Sequence, residues 1–415
     1  MSRPRLAYLT GEYPRASDTF IQREVAALRA LGHEVLTCTI RTTGAEHLVG
    51  PEQRAEHAST IRVLDSAKRP LRLARAHLRW IATRPGGYLA ALRLAWTTAP
   101  KGLRGRLYNL LYFLEAGVLA EVLRHEGVEH LHNHIAKASC TVAMLASALS
   151  GVPYSFTIHG PDIFFEPHHW RIDEKTARAR FVACISDYCR AQLMCFASPA
   201  DWDRLHVVHC GIEPERYSVA PHDGKRLLFV GRLAGVKGVP VLLDAVAALR
   251  ARHADLRLDL IGDGPDRAVL EARAATLGLT DAVRFLGYRS QDEVAGALAG
   301  TDVFVLPSFA EGVPVVLMEA MASGVPVVTT RIAGIPELVA DGESGLLVPP
   351  GDAPALAAAL DDLLASADRR RALGAAGRAT VEAGFSVRTE AAWLSRLITT
   401  YAEGDPPPAK RAVPE

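Results

Sequence analysis

The chain has 415 residues, 49% of them apolar and 22% charged, which suits a packed globular protein long enough for two domains. Lys and Arg number 47 against 46 Asp and Glu, and this near-neutral balance argues against a general nucleic-acid binder. The six cysteines (38, 140, 184, 189, 195 and 210) include no CxxC pair and read as buried free thiols. The start, MSRPRLAYLT, runs straight into a strand pattern, without a signal-peptide pattern or an apolar run of spanning length. A cytoplasmic location is the expectation.

Residues 6–10 read as a strand, followed by a loop from Gly11 to Asp18. Asp18 suits an N-cap for a helix with Ile21, Val25 and Leu28 on one face, ended by Gly32. Residues 33–39 are the next strand. This βαβ opening implies a parallel sheet, whose first loop faces the ligand crevice. That loop is not GxGxxG, so a dinucleotide fingerprint is absent.

Residues 68–106 contain ten Lys or Arg and no Asp or Glu, interleaved with Leu, Trp80, Ile81, Tyr88 and Trp96. Such a segment is either a solvated helical face or an amphipathic surface that lies on anionic lipid. Residues 128–135 read as a strand with His130, His132 and His134 on one face. Nothing at ligand spacing completes a metal site there, so no metal is expected. Residues 154–158 form another strand, ending in His159-Gly160-Pro161-Asp162. A histidine at the carboxyl end of a parallel strand points into the crevice, where its neutral ring can donate to a sugar hydroxyl. Strands at 181–185 and 205–208 complete this half.

Residues 220–224 (APHDG) read as a linker, and a second α/β series begins at 226–230. Its first loop, 231–238, sets Arg232 and Lys237 beside glycines at a strand end, where phosphates belong: Arg can clamp two oxygens and Lys acts as a point charge. The loops Gly262-Asp263-Gly264 and Gly287-Tyr288-Arg289 reach the same rim. Residues 302–307 are the strand that delivers the central stretch, FAEGVPVVLMEAMASGVPVVTT at 309–330. Pro314 fits the first turn of a helix and Gly324 its left-handed cap. Gly312 lets the backbone approach a ligand. The free N–H groups from Val313 through Val315 to Val316 form an anion site. Glu311 lies in the loop before them. Glu319 is five residues past Pro314, about 7.5 Å along the axis, so the two acids suit hydroxyls on two rings of one ligand.

Three features therefore stand in order: Gly231-Arg232 with Lys237-Gly238, the Gly262-Asp263-Gly264 turn, and Glu311 to Glu319 followed by AMASGVPVV. In this set the chain resembles the family 4 retaining glycosyltransferases of the GT-B fold, over residues 6–401. Tyr13-Pro14 to Phe20, His159-Gly160 and Asp162-Ile163-Phe164 look like the branch that builds exopolysaccharide and colanic-acid-type repeat units. Ala16-Ser17-Asp18 departs from the Gly-Gly first loop of many members.

The resemblance implies two Rossmann-like doubly wound α/β domains facing each other across a cleft. Residues 1–219 would bind the acceptor and 220–385 the nucleotide sugar. A helix at 386–402 would cross back to the N-terminal domain, and 403–415 would be a disordered tail. Arg232 and Lys237 would hold the donor diphosphate, and Glu319 the ribose hydroxyls. Glu311 and the amides after Gly312 would hold the sugar and phosphates, Tyr288-Arg289 would meet the base, and His159 would touch the transferred hexose. Gly11, Asp162, Gly231 and Gly262 complete the expected substrate contacts. The implied activity is metal-independent, retaining hexose transfer, without cofactor, from a nucleotide diphosphate sugar to a sugar hydroxyl of a glycan or lipid-linked acceptor. UDP-hexose is favoured and GDP-mannose is second. The alternatives are a nucleotide-sugar epimerase of the same fold and a non-catalytic nucleotide-sugar-binding subunit.

Overall fold

The computed structural model describes residues 3–15, 18–48, 50–160, 164–220 and 224–404. Asp162 and the tail 405–415 lie outside them. The described residues divide into two compact units: those of Met1–His209 together with 388–404, and Cys210–Val387. The division comes ten residues before the linker expected at 220. The intervening residues belong to the second core, where Ile212 and Tyr217 are buried, Ile212 N–H donates to Phe385 O and Arg378 Nη1 donates to Tyr217 O.

The N-terminal sheet contains β1 (Leu6–Glu12), β2 (Val35–Arg41), β3 (Ile61–Arg62), β4 (His130–His134), β5 (Tyr154–Ile158), β6 (Val182–Cys184) and β7 (Leu205–Val207). Its order is β3-β2-β1-β4-β5-β6-β7, and every neighbouring pair is parallel. The chain thus builds outward from β1 in one direction and from β4 in the other, so the sheet switches direction between them. β1 runs to Glu12, which puts Gly11 inside the strand and not in the following loop. Asp18 holds the N-cap position of helix Thr19–Ala30, but its side chain makes no capping bond.

The second sheet contains β8 (Arg226–Val230), β9 (Arg257–Ile261), β10 (Val283–Gly287), β11 (Val303–Leu306), β12 (Val327–Thr330) and β13 (Leu346–Val348). Its order is β10-β9-β8-β11-β12-β13, again all parallel. Every residue of β11 and β12 is buried. Central strands covered by helices on both faces need such unbroken apolar runs. The switch point here falls between β8 and β11.

The last helix, Val387–Glu403, belongs to the N-terminal unit. Its Trp393, Leu394, Leu397 and Ile398 share a core with Leu6, Ile21, Val25 and Leu28. The basic segment forms helices Pro70–Thr83 and Pro85–Thr97 and the start of Leu103–His125. Among the described residues no helix is long and apolar enough to cross a membrane. The cysteines are free thiols, but Cys195 is exposed while the other five are buried.

Candidate functional site

The loops after β8 and β11 leave neighbouring strand ends, and the local sequence locks them together. Gly238 has φ +66°, and a Cβ there would sit 2.0 Å from the carbonyl oxygen of Pro307. Gly262 has φ +128°, and its Cβ would sit 2.0 Å from the oxygen of Gly231. Only glycine allows approaches this close at such φ values. Phe309 N–H donates to Val236 O at 2.7 Å, which ties the β11 loop to the β8 loop. The Gly262 N–H donates to Gly287 O at 2.8 Å, which carries the rim on toward Tyr288.

Lys237 and Glu311 meet on this rim. Lys237 Nζ donates to Glu311 Oε1 at 2.5 Å, and Ser308 Oγ donates to the same oxygen at 2.6 Å. Thr330 Oγ1 holds the Ser308 carbonyl at 2.6 Å, so β12 braces the loop that carries Glu311. Glu311 is 9% exposed, and a carboxylate buried that far needs such partners. An ammonium has three donors, so this bond leaves Lys237 able to meet further oxygens. Arg232 is exposed and has no ion-pair partner among the described residues. Two predicted phosphate ligands therefore stand on the β8 loop, one anchored by Glu311 and one without an anion.

Helix Val315–Ala322 begins directly behind Glu311. Its N-cap is Pro314, so the proline precedes the first helical turn that it was expected to enter. A proline side chain cannot cap, and no side-chain capping bond is present there. The amides opening this helix are thus not covered by a cap, as an anion site requires. Val313 and Pro314 are buried, while Gly312 and Val315 are partly accessible. Gly324 ends the helix at φ +70°. Glu319 is half-buried on the helix and is not without a partner. Tyr288 is 73% exposed, and Arg289 is exposed with Glu293 3.7 Å away.

The N-terminal unit carries a buried polar chain at its own switch point. Tyr8 OH donates to Glu24 Oε1 at 2.8 Å, and His134 Nε2 lies 2.9 Å from the same oxygen. His134 Nδ1 lies 2.9 Å from His159 Nε2. With Glu24 ionised, Nε2–H of His134 donates to it and Nδ1 must accept, so His159 donates from Nε2. His159 Nδ1 is then the acceptor nitrogen of its ring. Burial pushes the pKa of both His134 and His159 down to about 3, so both rings are neutral at pH 7. Burial pushes Glu24 upward, which the Tyr8 hydrogen bond opposes. Periodicity alone carries no sign of Glu24, an acid on a helix face that looks polar.

Glu24, His132 and His134 are close enough to be considered as metal ligands. His132, however, is held by Ser155 Oγ at 2.7 Å and Thr157 Oγ1 at 2.9 Å. With both its ring nitrogens engaged, the group reads as a hydrogen-bond network. Ile135, just past β4, has φ +70°, a costly setting for a β-branched residue and one that clusters at functional rims.

Two all-parallel, doubly wound units with a phosphate-type rim on the second define the GT-B class of glycosyltransferase. Solved structures agree on this fold. Sucrose-phosphate synthase from Thermosynechococcus elongatus aligns with TM-score 0.73 at 22% identity, over 97% of this chain and 100% of that one. Anabaena HepE in complex with UDP-glucose aligns with TM-score 0.72 at 19% identity, over 96% and 100%. Residues 213–380 match the model for glycosyl transferases group 1, and 88–216 match that for glycosyltransferase family 4. WcaL of Salmonella typhimurium, whose description assigns it to colanic acid biosynthesis, is 30% identical over 386 residues, 86% of this chain and 89% of that one. AmsK of Erwinia amylovora, an amylovoran biosynthesis glycosyltransferase, is 31% identical over 258 residues, 59% of this chain and 63% of its own. The chain belongs to the family 4 glycosyltransferases, in the branch of the colanic-acid-type exopolysaccharide enzymes.

Proposed function

We propose that this protein transfers a hexose from a nucleotide diphosphate sugar to a sugar hydroxyl of a glycan or lipid-linked acceptor in polysaccharide biosynthesis. The anomeric configuration is retained and no metal takes part. The reading rests chiefly on the Lys237–Glu311 pair, fixed where the second sheet switches direction, beside Arg232 and the opening amides of helix Val315–Ala322. The barrier to transfer lies in charge that builds on the departing diphosphate. Two cations and a helix terminus, already oriented, stabilise that charge without reorganising. Glu311 and Glu319 then measure out hydroxyls on the sugar and the ribose. UDP-hexose is the favoured donor, supported by the UDP-glucose held by HepE, and GDP-mannose is second. No carboxylate is assigned as nucleophile, so attack from the front face is favoured, with the leaving phosphate taking the proton of the incoming hydroxyl. The exposed Leu71, Leu78, Ile81 and Leu89, interleaved with arginines on helices Pro70–Thr83 and Pro85–Thr97, support peripheral contact with an anionic membrane.

The test is product analysis with UDP-glucose, GDP-mannose and a mixed glycan acceptor, in the presence of a chelator. A product with the donor's anomeric configuration is expected, formed undiminished under chelation. An inverted product, a trapped glycosyl-enzyme or full loss under chelation contradicts the mechanism. Free nucleotide released without an acceptor points to the epimerase, and donor binding without turnover to the non-catalytic subunit.

A further inference from the structure

The N-terminal unit contains a cavity of about 430 Å³, lined by no residue of the rim described above. Its walls come from the turn after helix Pro85–Thr97, the start of helices Leu103–His125 and Ala138–Ser150, and residues 169–175. Lys101, Arg104, Arg171 and Lys175 all line it, and none of the described residues lining it is a carboxylate. Arg171 is already engaged, at 2.9 Å by Asp173 and 3.1 Å by Glu174. The other three cations have no carboxylate within ion-pair distance among the described residues.

Lys175 is the telling member. It is fully buried, and its Nζ donates to the carbonyls of Ala136 and Lys137 at 2.9 Å each. A buried ammonium satisfied only by neutral oxygens is costly. Burial lowers its pKa to about 8; a nearby anion would reverse that penalty. Trp170, whose ring lies 5.6 Å from Lys175 Nζ, keeps a buried indole N–H without an acceptor. Arg171 itself has φ +47°, another strained setting that packing must enforce.

Helix Leu103–His125 presents two neighbouring stripes to this region. Arg104, Tyr108 and Tyr112, spaced by four, line the cavity. Leu103, Leu107 and Leu111, one position earlier on each turn, are 85%, 56% and 45% exposed. Gly105 lets the helix close on the preceding turn, since a Cβ there would sit 2.5 Å from Pro100 O. A cation-lined hollow beside an unpartnered apolar stripe matches a ligand with a charged head and an apolar chain.

We propose that this cavity binds the phosphate headgroup of an anionic lipid, with the lipid chain lying along Leu103, Leu107 and Leu111. The assignment gives the membrane contact proposed above a defined ligand, and it rests on that reading. The probe is dihexanoyl phosphatidic acid below its micellar concentration, titrated into the full-length protein by calorimetry and tryptophan emission. Saturable binding is expected, weakened about tenfold or more in the exposed-site double variant Lys101→Ala/Arg104→Ala. Dihexanoyl phosphatidylcholine and inorganic phosphate are expected to bind far more weakly than the phosphatidic acid. Equal affinity for inorganic phosphate would reduce the cavity to an anion site and overturn the lipid assignment. Unchanged affinity in the double variant would overturn it too. Co-sedimentation with phosphatidylglycerol vesicles separates the two readings. Vesicle binding without short-chain lipid binding leaves membrane contact standing and removes the cavity from it, whereas failure of both removes both.

Discussion

Lys237 and Arg232 share a loop but are differently restrained. Lys237 is tied to Glu311, which Ser308 holds in turn, whereas Arg232 is exposed. If both stabilise the leaving diphosphate, Lys237→Ala and Arg232→Ala each lower kcat about a hundredfold, the usual cost of one preorganised donor; steady-state kinetics with the preferred donor checks this. Near-normal turnover in either variant removes that residue from the mechanism. Glu311→Gln keeps a hydrogen-bond acceptor but removes the charge opposite Lys237, and it is expected to lower turnover while leaving the fold intact, which circular dichroism verifies. In the N-terminal unit, burial lowers His130, His134 and His159 to about 3 and His206 to about 4. The folded state therefore holds fewer protons than the unfolded chain between those values and about 6.5. Their stabilisation is complete above about pH 6.5 and is lost as pH falls toward 3. Glu24 and Glu115 are raised by burial, Glu115 to about 7, and act in the opposite sense but are outnumbered. Urea midpoints measured between pH 7 and pH 5 should fall with pH; a flat or rising midpoint contradicts the buried neutral histidines.

At the scale of elements, the rim depends on glycines that let one loop cross another. Gly238→Ala places a Cβ against Pro307 O, whereas Gly278, with φ +68°, has no atom within 4 Å of an added Cβ. Both substitutions carry the left-handed penalty of about 1–2 kcal/mol, but only Gly238→Ala also forces the β8 and β11 loops apart. Its denaturation midpoint should drop well below that of Gly278→Ala, and nucleotide binding should go with it. Equal midpoints would mean that the loops accommodate the methyl group. Much of this rim is legible in the sequence because it is local: strand, glycine-containing loop and helix follow one another from 226 to 249 and from 303 to 322. Details that depend on neighbours are not. Gly11 looks like loop in the sequence because β1 continues only through its ladder with β2, where Glu12 pairs with Arg41. Pro314 suits a first helical turn by its residue type, but the chain places it at the cap. Glu24 becomes informative only once the fold sets it against Tyr8 and His134, residues 16 and 110 positions away.

For the whole molecule, two sheets of the same construction carry different chemistry at their switch points: neutral imidazoles on one, cations and a helix terminus on the other. The alternation of strand and helix patterns announced this doubling. The division at 209/210 was not legible, because Ile212 and Tyr217 precede the proline-containing linker yet pack into the second core. Donor identity is a property at this scale, and thermal stability in the presence of equal concentrations of UDP, GDP and ADP reports it, since the ligand bound more tightly stabilises more. UDP is expected to raise the midpoint most; a larger shift with GDP would transfer the donor assignment to a GDP-sugar. The central claim is that the nucleotide's phosphates are held at Arg232, Lys237 and the amides after Gly312. Titration calorimetry of the stabilising nucleoside diphosphate against wild type, Lys237→Ala and Lys101→Ala tests it most directly. The account predicts a loss of about tenfold or more for Lys237→Ala and wild-type affinity for Lys101→Ala; equal affinity for wild type and Lys237→Ala would contradict it.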